Sequence, residues 1–361
     1  MNTTHPPALL TPNECTKTIF ELSGVEVEPA VAADLWARIS KHKWLLSEKL
    51  GRDVGLRTAC IDFLENTEQA PEEYLSYQRK TILDAMGAQT IGRDMWDTIA
   101  DSQPPKQLIQ RRIILPLLEQ NLATKHGVVP PKAIVFFGPP GTGKTHFAKA
   151  IAGVLSWRYI EIVPSMLMTD GVEKIGAKLR AVMEEARNLD EVVLFIDEFD
   201  EIAGSRDVAD RIDKSITNEF LKQIPLFKSQ PNKILLVCAT NYIRDLDAAM
   251  LRPGRFDCII PVGGLDREGR ATILEHYLAR LNTGRIDLDL LVELTIGFTP
   301  ADIQYLFQQV ALSAFEQELA SRNDYLVTAA TFIDIEPKIL PSLSTEMILE
   351  FEKDSLTYSR V

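Results

Sequence analysis

The sequence has few cysteines and histidines, and neither type is grouped in a disulfide or metal-binding pattern. Its four cysteines, Cys15, Cys60, Cys238 and Cys258, are scattered without Cys-x-x-Cys spacing. They therefore predict reduced thiols and argue against a disulfide framework or a zinc site. The five histidines show no ligand spacing, and no His-Glu-x-x-His motif occurs, which argues against a fused metallopeptidase.

Long apolar runs and an excess of basic residues are also missing. No run approaches the length of a membrane span, and the first residues lack the basic and apolar regions of a signal peptide. The formal net charge of −12 argues against a broad nucleic-acid footprint, so we expect no nucleic-acid partner. With 45% hydrophobic and 25% charged residues, the composition is typical of a globular protein, and we expect a cytoplasmic one.

A glycine-rich loop follows the apolar run at 133–137, which predicts a buried strand. Glycine at three of its positions allows successive backbone N–H groups to turn toward the phosphates of a nucleotide. Its lysine supplies a positive charge to the same oxygens, and its last hydroxyl is a ligand for Mg²⁺. The predicted phosphate-binding residues are Gly138, Pro139, Pro140, Gly141, Thr142, Gly143, Lys144 and Thr145.

Two carboxylates, Asp197 and Glu198, end a second apolar run at 192–196. Runs without polar alternation indicate strands buried on both faces, and ligands bind at the carboxyl ends of such strands. We predict that Asp197 holds Mg²⁺ through water, and that Glu198 polarises the water that attacks the γ-phosphate. The alternative is an acidic strand end that faces solvent.

A third apolar run, at 234–240, ends in Asn241, whose amide is predicted to orient the attacking water or contact the γ-phosphate. Arg252 and Arg255 then flank a Pro-Gly turn. Guanidinium groups projecting from such a loop are suited to stabilising a phosphate bound to a neighbouring subunit. Taken by itself, this turn is better explained as a surface loop with two solvated arginines.

The order of these elements is similar to that of the AAA family of ring-forming ATPases, in the branch of the 26S proteasome ATPases and the valosin-containing protein. The likeness covers roughly residues 95–355. Segments that resemble the family outside the phosphate loop lie at 96–101, 201–206, 297–303 and 341–344. The sequence departs from the family pattern at Ala100-Asp101, where two glycines are usual, and at Pro300, which replaces a glycine.

The resemblance implies ATP and Mg²⁺ as cofactors, with Thr145 and Asp197 as the metal-binding residues. It implies adenine contacts at Ile99, Ala100 and Tyr277, although relatives often have a histidine at the position of Tyr277. It implies Ile273 and Ala301 as further nucleotide-binding residues. His146, directly after the loop, is included among the nucleotide-binding residues, although a plain helix-surface role is simpler. Glu198, Asn241, Arg252 and Arg255 are the implied catalytic residues, the arginines acting across a homo-oligomeric ring, a hexamer by resemblance.

The pattern of apolar runs predicts an α/β fold. Strands at about 133–137, 158–163, 192–197, 233–239 and 257–262 alternate with helical stretches, as in a P-loop NTPase parallel sheet with helices on both faces. We predict a small helical N-terminal domain at 1–94 that binds a client or adaptor, with helices at about 31–46 and 73–86. The AAA α/β domain follows at 95–262, and a helical lid at 263–361, with helices at 270–281, 288–294, 300–320 and 345–355.

Three functions remain open. The first is an ATP-driven motor that remodels, unfolds or disassembles a protein client. The second is a slow nucleotide-dependent switch or assembly factor that does not thread substrate. It is favoured by the lack of any aromatic residue from Ile160 to Leu194, where ring unfoldases carry a substrate-gripping aromatic; Met168 is the alternative gripping residue. The third is a structural ring subunit, which the intact Glu198 disfavours.

Overall fold

The structure is a computed structural model that describes residues 10–50, 52–66, 79–80, 82–168, 175–202, 211–229 and 232–360. The chain forms two compact units that divide between Met86 and Gly87. Residues 87–94, which the sequence pattern grouped with the N-terminal domain, belong to the second unit.

The N-terminal unit contains helices α1 (Pro12–Ser23), α2 (Pro29–Leu50) and α3 (Leu56–Asn66). Helix α2 includes the predicted stretch 31–46, whereas α1 and α3 were not predicted. Thr11 begins α1 with a capping box, in which its hydroxyl accepts from the Glu14 amide and the Glu14 carboxylate accepts from the Thr11 amide. The helix predicted at 73–86 lies partly outside the described residues; 79–80 and 82–85 are helical.

A six-stranded sheet in the order β1-β3-β4-β5-β2-β6 forms the centre of the second unit. All neighbouring strands are parallel except the edge pair β1–β3. The α/β prediction is therefore confirmed. The strands are β1 (Gln89–Thr90), β2 (Ala133–Phe137), β3 (Arg158–Ile162), β4 (Val192–Ile196), β5 (Ile234–Thr240) and β6 (Cys258–Pro261).

Both faces of the sheet are buried, as the unbroken apolar runs predicted. Ile134 and Phe136 of β2 pack into the core on one face of the sheet. Val135 and Phe137 alternate with them on the other face and are at most 1% exposed. The helices of this part are α4 (Pro104–Ile109), α5 (Leu115–Leu118), α6 (Gln120–Lys125), α7 (Lys144–Leu155), α8 (Pro164–Met168), α9 (Ile175–Ala186), α10 (Phe199–Ile202) and α11 (Arg211–Lys228).

The chain continues into helices with a core of their own, which we call the lid helices: α12 (Arg267–Leu278), α13 (Leu288–Leu294), α14 (Pro300–Ser321) and α15 (Ala329–Ile335). Helix α12 begins three residues before the predicted start because Asp266 caps it, its carboxylate accepting from the amide of Gly269. Helix α15 was not predicted.

The last helix, α16 (Thr345–Tyr358), returns to the sheet. Phe351 packs on Phe137 at the end of β2, with ring centroids 6.0 Å apart. Arg244, in the turn after β5, forms ion pairs with Glu350 and Asp354 at 3.2 and 3.0 Å. Helix α16 is therefore attached at the carboxyl ends of β2 and β5, where the phosphate loop begins.

Candidate nucleotide site

A cavity of about 570 Å³ lies between the carboxyl ends of the strands and the lid helices. Most of the site residues predicted from the sequence line it. They are Ile99, Ala100, Pro140, Gly141, Thr142, Gly143, Lys144, Thr145, His146, Asp197, Glu198, Asn241, Ile273, Tyr277 and Ala301. Gly138 and Pro139 lie directly behind this wall, where their carbonyls accept hydrogen bonds from Lys144.

Lys144 is the central cation of the phosphate loop. Its ammonium donates to the carbonyls of Gly138 and Pro139 at 2.6 and 2.9 Å and to the side-chain oxygen of Asn241 at 2.7 Å. Burial lowers the pKa of Lys144 to about 8, although the carboxylates of Asp197 and Asp200 oppose the shift. The group is therefore a buried positive charge that an anion in the cavity would stabilise.

Two loop glycines are required by close contacts. Gly138 has φ +147°, and a Cβ on it would lie 2.1 Å from the carbonyl oxygen of Val262. Gly141 has φ +77°, and its Cβ would lie 3.0 Å from the Thr299 hydroxyl at the start of α14. Both positions combine a left-handed backbone with a lack of space, so a larger residue would deform the loop.

The predicted metal-binding pair forms at the ends of β4 and the loop. The Thr145 hydroxyl donates to one carboxylate oxygen of Asp197 at 3.0 Å, and the amide of Glu198 donates to the other at 2.9 Å. A hydroxyl and a carboxylate are the hard oxygen donors that Mg²⁺ binds, and Mg²⁺ keeps several waters besides. Within the described ranges, no group of three histidine, cysteine or acidic side chains could hold a metal ion alone.

Glu198 is exposed and has φ +47°, in the left-handed region. The neighbouring carboxylate of Glu201 is the main cause that raises its pKa, followed by partial burial and the charges of Asp197 and Asp200. A strained backbone and a raised pKa at the mouth of a cavity are features of a general base.

At the end of the cavity where we predict that adenine binds, which we call the base end, the structure explains the departure from the family at Ala100-Asp101. Lys106, only 5% exposed, donates to the carbonyl of Ile99 at 2.5 Å and pairs with Asp101 at 2.8 Å. Its ammonium also lies 5.4 Å from the ring centroid of Trp96. The aspartate thus neutralises a buried lysine that anchors the segment predicted to contact adenine.

Sequence reasoning missed a polar connection between this segment and the lid helices. The Gln103 amide donates to Asp266 at 2.7 Å, and the same oxygen caps α12. A helix-capping pattern at Asp266 was the available signal. His276 also lines the cavity. Relatives often carry a histidine at the next position, that of Tyr277, so a histidine beside that position was a second signal in the sequence.

His146 has a specific partner. Its Nε2 lies 2.8 Å from the Thr98 hydroxyl, which itself donates to the carbonyl of Met95. The hydroxyl proton is therefore used, so His146 is the donor in that bond. Burial lowers the pKa of His146; a backbone hydrogen bond with Met95 opposes this shift, and the charges of His276 and Lys149 add to it. The lowered pKa favours the neutral ring, whose Nε2–H tautomer is able to donate to Thr98.

Arg252 and Arg255 do not line the cavity of their own chain. Arg252 is exposed, and the guanidinium of Arg255 donates to the carbonyl of Ala249 in the same turn. The structure therefore brings the phosphate-loop residues, the carboxylates and Asn241 together, and leaves both arginines apart from them. Met168 is the last residue of α8, and its side chain is not among those that the structure describes. Residues 169–174 also lie outside the described residues.

Comparison with known proteins gives the family. The family described as "ATPase family associated with various cellular activities (AAA)" matches residues 134–263. The proteasome-activating nucleotidase of Methanothermobacter thermautotrophicus is 34% identical over 92% of this chain and 85% of its own length. The chain therefore belongs to the AAA family of ATPases.

Other relatives are longer than this chain. The cell division cycle protein 48 homolog of Archaeoglobus fulgidus is 32% identical over 68% of this chain, and the match spans 35% of that protein. The FIGL-1 AAA domain has a TM-score of 0.67 at 23% identity, over 78% of this chain and 96% of that domain, which supports the fold. No helix among the described residues is both long and apolar enough to cross a membrane.

Proposed function

We propose that this chain hydrolyses ATP to ADP and phosphate in a Mg²⁺-dependent reaction at this cavity. The observation that carries the proposal is the convergence of one buried cation, Lys144, with the Thr145–Asp197 pair and the exposed Glu198 on one wall. When bound, Mg²⁺ would supply charge neutralisation between the terminal phosphates, with Thr145 and Asp197 holding it.

The side chains of this chain have separate roles in the proposed reaction. Lys144 exchanges a carbonyl partner for phosphate oxygens, and the loop amides bind the same group. Glu198 accepts a proton from the attacking water, and its raised pKa makes it a stronger base than an ordinary glutamate. Asn241 orients that water while its oxygen keeps Lys144 in place.

We further propose that the site is completed by a neighbouring subunit in a homo-oligomeric ring, a hexamer. Arg252 and Arg255 lie outside their own cavity, on a turn whose exposed side suits contact with another copy. In this position the arginines would stabilise charge on the neighbour's γ-phosphate as it transfers.

The proposed use of ATP is the remodelling, unfolding or disassembly of a protein client in the cytoplasm, with the N-terminal unit binding the client or an adaptor. The names of relatives, a proteasome-activating nucleotidase and a probable 26S proteasome regulatory subunit, support this role. The lack of an aromatic residue between Ile160 and Leu194 favours a slow switch that does not thread its substrate as the second candidate. Stimulation of ATP turnover by unfolded protein would distinguish the motor from the switch.

Arg255→Ala tests the composite site. We expect ATP affinity within about tenfold of wild type and a loss of hydrolysis of roughly 10³-fold or more, as for other arginine fingers. Lys144→Ala should lose nucleotide binding, because the loop loses its cation. Mixed in equal amounts, the two variants place an intact cavity beside an intact arginine at about a quarter of random interfaces, so activity should return.

The measurement is steady-state ATP turnover of each variant and of the mixture at several protein concentrations. Wild-type turnover per subunit should rise with concentration as rings form. Concentration-independent turnover by a monomer, with Arg255→Ala unaffected, would leave both arginines as ordinary surface residues.

A further inference from the structure

Arg360, which follows α16, donates hydrogen bonds to the turn that carries Arg252 and Arg255. Its guanidinium donates to the carbonyl of Leu251 at 2.5 Å and to that of Phe256 at 2.6 Å. These carbonyls bracket Arg252 and Arg255 on both sides. One planar, always charged group thus connects the two ends of the turn, and its rigid fork of donors fixes the two carbonyls in one geometry, which the compact ammonium of a flexible lysine does not.

The backbone of Arg360 is fixed to the sheet. Arg360 and Ile259 of β6 form an isolated antiparallel bridge, with N–O distances of 2.7 and 3.1 Å in the two directions. Arg360 therefore pairs with the edge strand β6, which lies next to β2, the strand that leads into the phosphate loop. Because α16 is also attached through Phe351 and Arg244, the guanidinium is presented from a rigid support.

The turn needs such a support because the two backbone hydrogen bonds made by the amides of its arginines are long. The amide of Arg252 lies 3.4 Å from the carbonyl of Ala249, and the amide of Arg255 lies 3.4 Å from that of Arg252. Lys228 contributes a second external contact, at 3.4 Å from the carbonyl of Gly254. In addition, Arg255 must leave the carbonyl of Ala249 to reach a neighbour, so the backbone has to keep its shape while the side chain moves.

We propose that Arg360 is a positioning residue for the trans-acting arginines, so that the C-terminus of one subunit sets the activity of the next. The inference rests on the proposed composite site. Arg360 is not among the residues that line the cavity of its own chain, so we expect its effect on the transferring phosphate of the neighbour and not on ATP binding in its own chain. A displacement of about 1 Å in a positioned group costs up to about 10²-fold in rate.

Arg360→Ala is the direct test, with Arg360→Lys as the conservative variant. We expect kcat to fall about tenfold or more in Arg360→Ala, with KM for ATP within about twofold. Arg360→Lys should recover part of the loss, because an ammonium still donates to these carbonyls but lacks the rigid planar fork that holds both in one geometry. Arg267→Ala is the matched control: it removes an exposed arginine that pairs with Asp289 and Glu293 on the lid helices, and should keep wild-type kcat.

Mixing separates positioning from general damage. Arg360→Ala keeps its own cavity, so an equal mixture with Lys144→Ala, which keeps its arginine turn, should regain activity. In the double variant with Arg255→Ala, Arg360→Ala should slow turnover by a smaller factor than it does in the wild type, since only Arg252 is left for it to displace. Thermal unfolding followed by circular dichroism reports whether the variant is folded.

The outcomes distinguish the inference from the function on which it rests. If Arg255→Ala is inactive and rescued by mixing while Arg360→Ala keeps wild-type kcat, the inference is wrong and the composite site stands. If Arg360→Ala is inactive, unfolds early and is not rescued by Lys144→Ala, Arg360 only fastens the C-terminus. Wild-type activity of Arg255→Ala would remove the composite site and the inference together.

Discussion

The two ends of the cavity are built in different ways. At the phosphate end, where the predicted phosphate-binding residues lie, the side chains come from a contiguous loop and from the ends of adjacent parallel strands. They form hydrogen bonds directly with each other, as Thr145 does with Asp197. At the base end, the walls come from three distant segments joined by few polar contacts, the Gln103–Asp266 bond among them. The phosphate end is therefore fixed by the sheet, and the base end by how the lid helices pack.

This difference separates chemistry from base selection. Changes at the phosphate end should alter catalysis or the binding of any polyphosphate. Changes at the base end should alter only the affinity for a nucleotide that carries a base.

Of the changes that compare the two ends of the cavity, Glu198→Gln should have the largest effect. The amide cannot accept the proton of water, so hydrolysis should fall about 10²- to 10⁴-fold while ATP affinity stays near wild type. Single-turnover hydrolysis and equilibrium binding of ATP measure the two quantities. Glu191→Gln is the matched control, because Glu191 lies at the other end of β4 with a similar φ of +56° and should have no effect on rate. Rapid turnover in Glu198→Gln would assign the base elsewhere.

A smaller effect is expected from Gln103→Ala at the base end. The variant removes a hydrogen bond to a carboxylate, a contact that is typically worth about tenfold in an equilibrium constant. ATP affinity should therefore fall about tenfold with kcat unchanged, and the affinity for inorganic tripolyphosphate should stay at the wild-type value. Equal weakening of both ligands would show that Gln103 acts on the whole cavity and would remove the distinction between the two ends.

The smallest effect is a pH dependence at the phosphate end. Lys144 has a pKa of about 8 in the free chain, lowered by burial from an ordinary 10.5. Phosphate stabilises its charged form, so binding above pH 8 should take up a proton, and affinity should decline severalfold as pH rises further. The sign follows from the depressed pKa: the free lysine is charged below pH 8 and neutral above it.

Calorimetry at pH 8.5 in two buffers of different ionisation enthalpy measures this proton uptake. Identical apparent enthalpies in both buffers would place the pKa of Lys144 at its ordinary value. The same comparison at pH 7.5 is the control and should show about a third of that uptake, because a lysine with a pKa of about 8 is already mostly charged there.

The sequence predicted the phosphate end better than the base end for a physical reason. Strands β2 and β4 are unbroken apolar runs, and the residues after them meet wherever parallel strands are adjacent. The two-residue strand β1 has no periodicity to detect and exists only because it pairs with β3. Gln103 and His276 enter the cavity through tertiary packing of segments far apart in the chain.

Two departures from the family pattern are explained by the structure and could not be explained from the sequence. Asp101 pairs with the buried Lys106, a contact that a motif comparison cannot detect. Pro300 occupies the first turn of α14 after the Thr299 cap, a position where proline is favoured because its missing N–H would have no helical partner. The N-terminal unit was predicted as helical, but α1 was missed although the Thr11–Glu14 capping box was legible.

The chain crosses between the sheet and the lid helices at 262–266 and again at 341–344, and the two crossings are neighbours, since a Cβ on Gly264 would lie 3.0 Å from Leu343. Asp302, at the start of α14, accepts two hydrogen bonds from Ser342 beside the second crossing. If the lid helices rotate about these two crossings, helix α14 begins near the axis and, with its 22 residues, extends about 33 Å away from it. Mechanically it is a lever: a rotation of about 10° beside the cavity would displace its far end by about 6 Å, a step large enough to reach another protein.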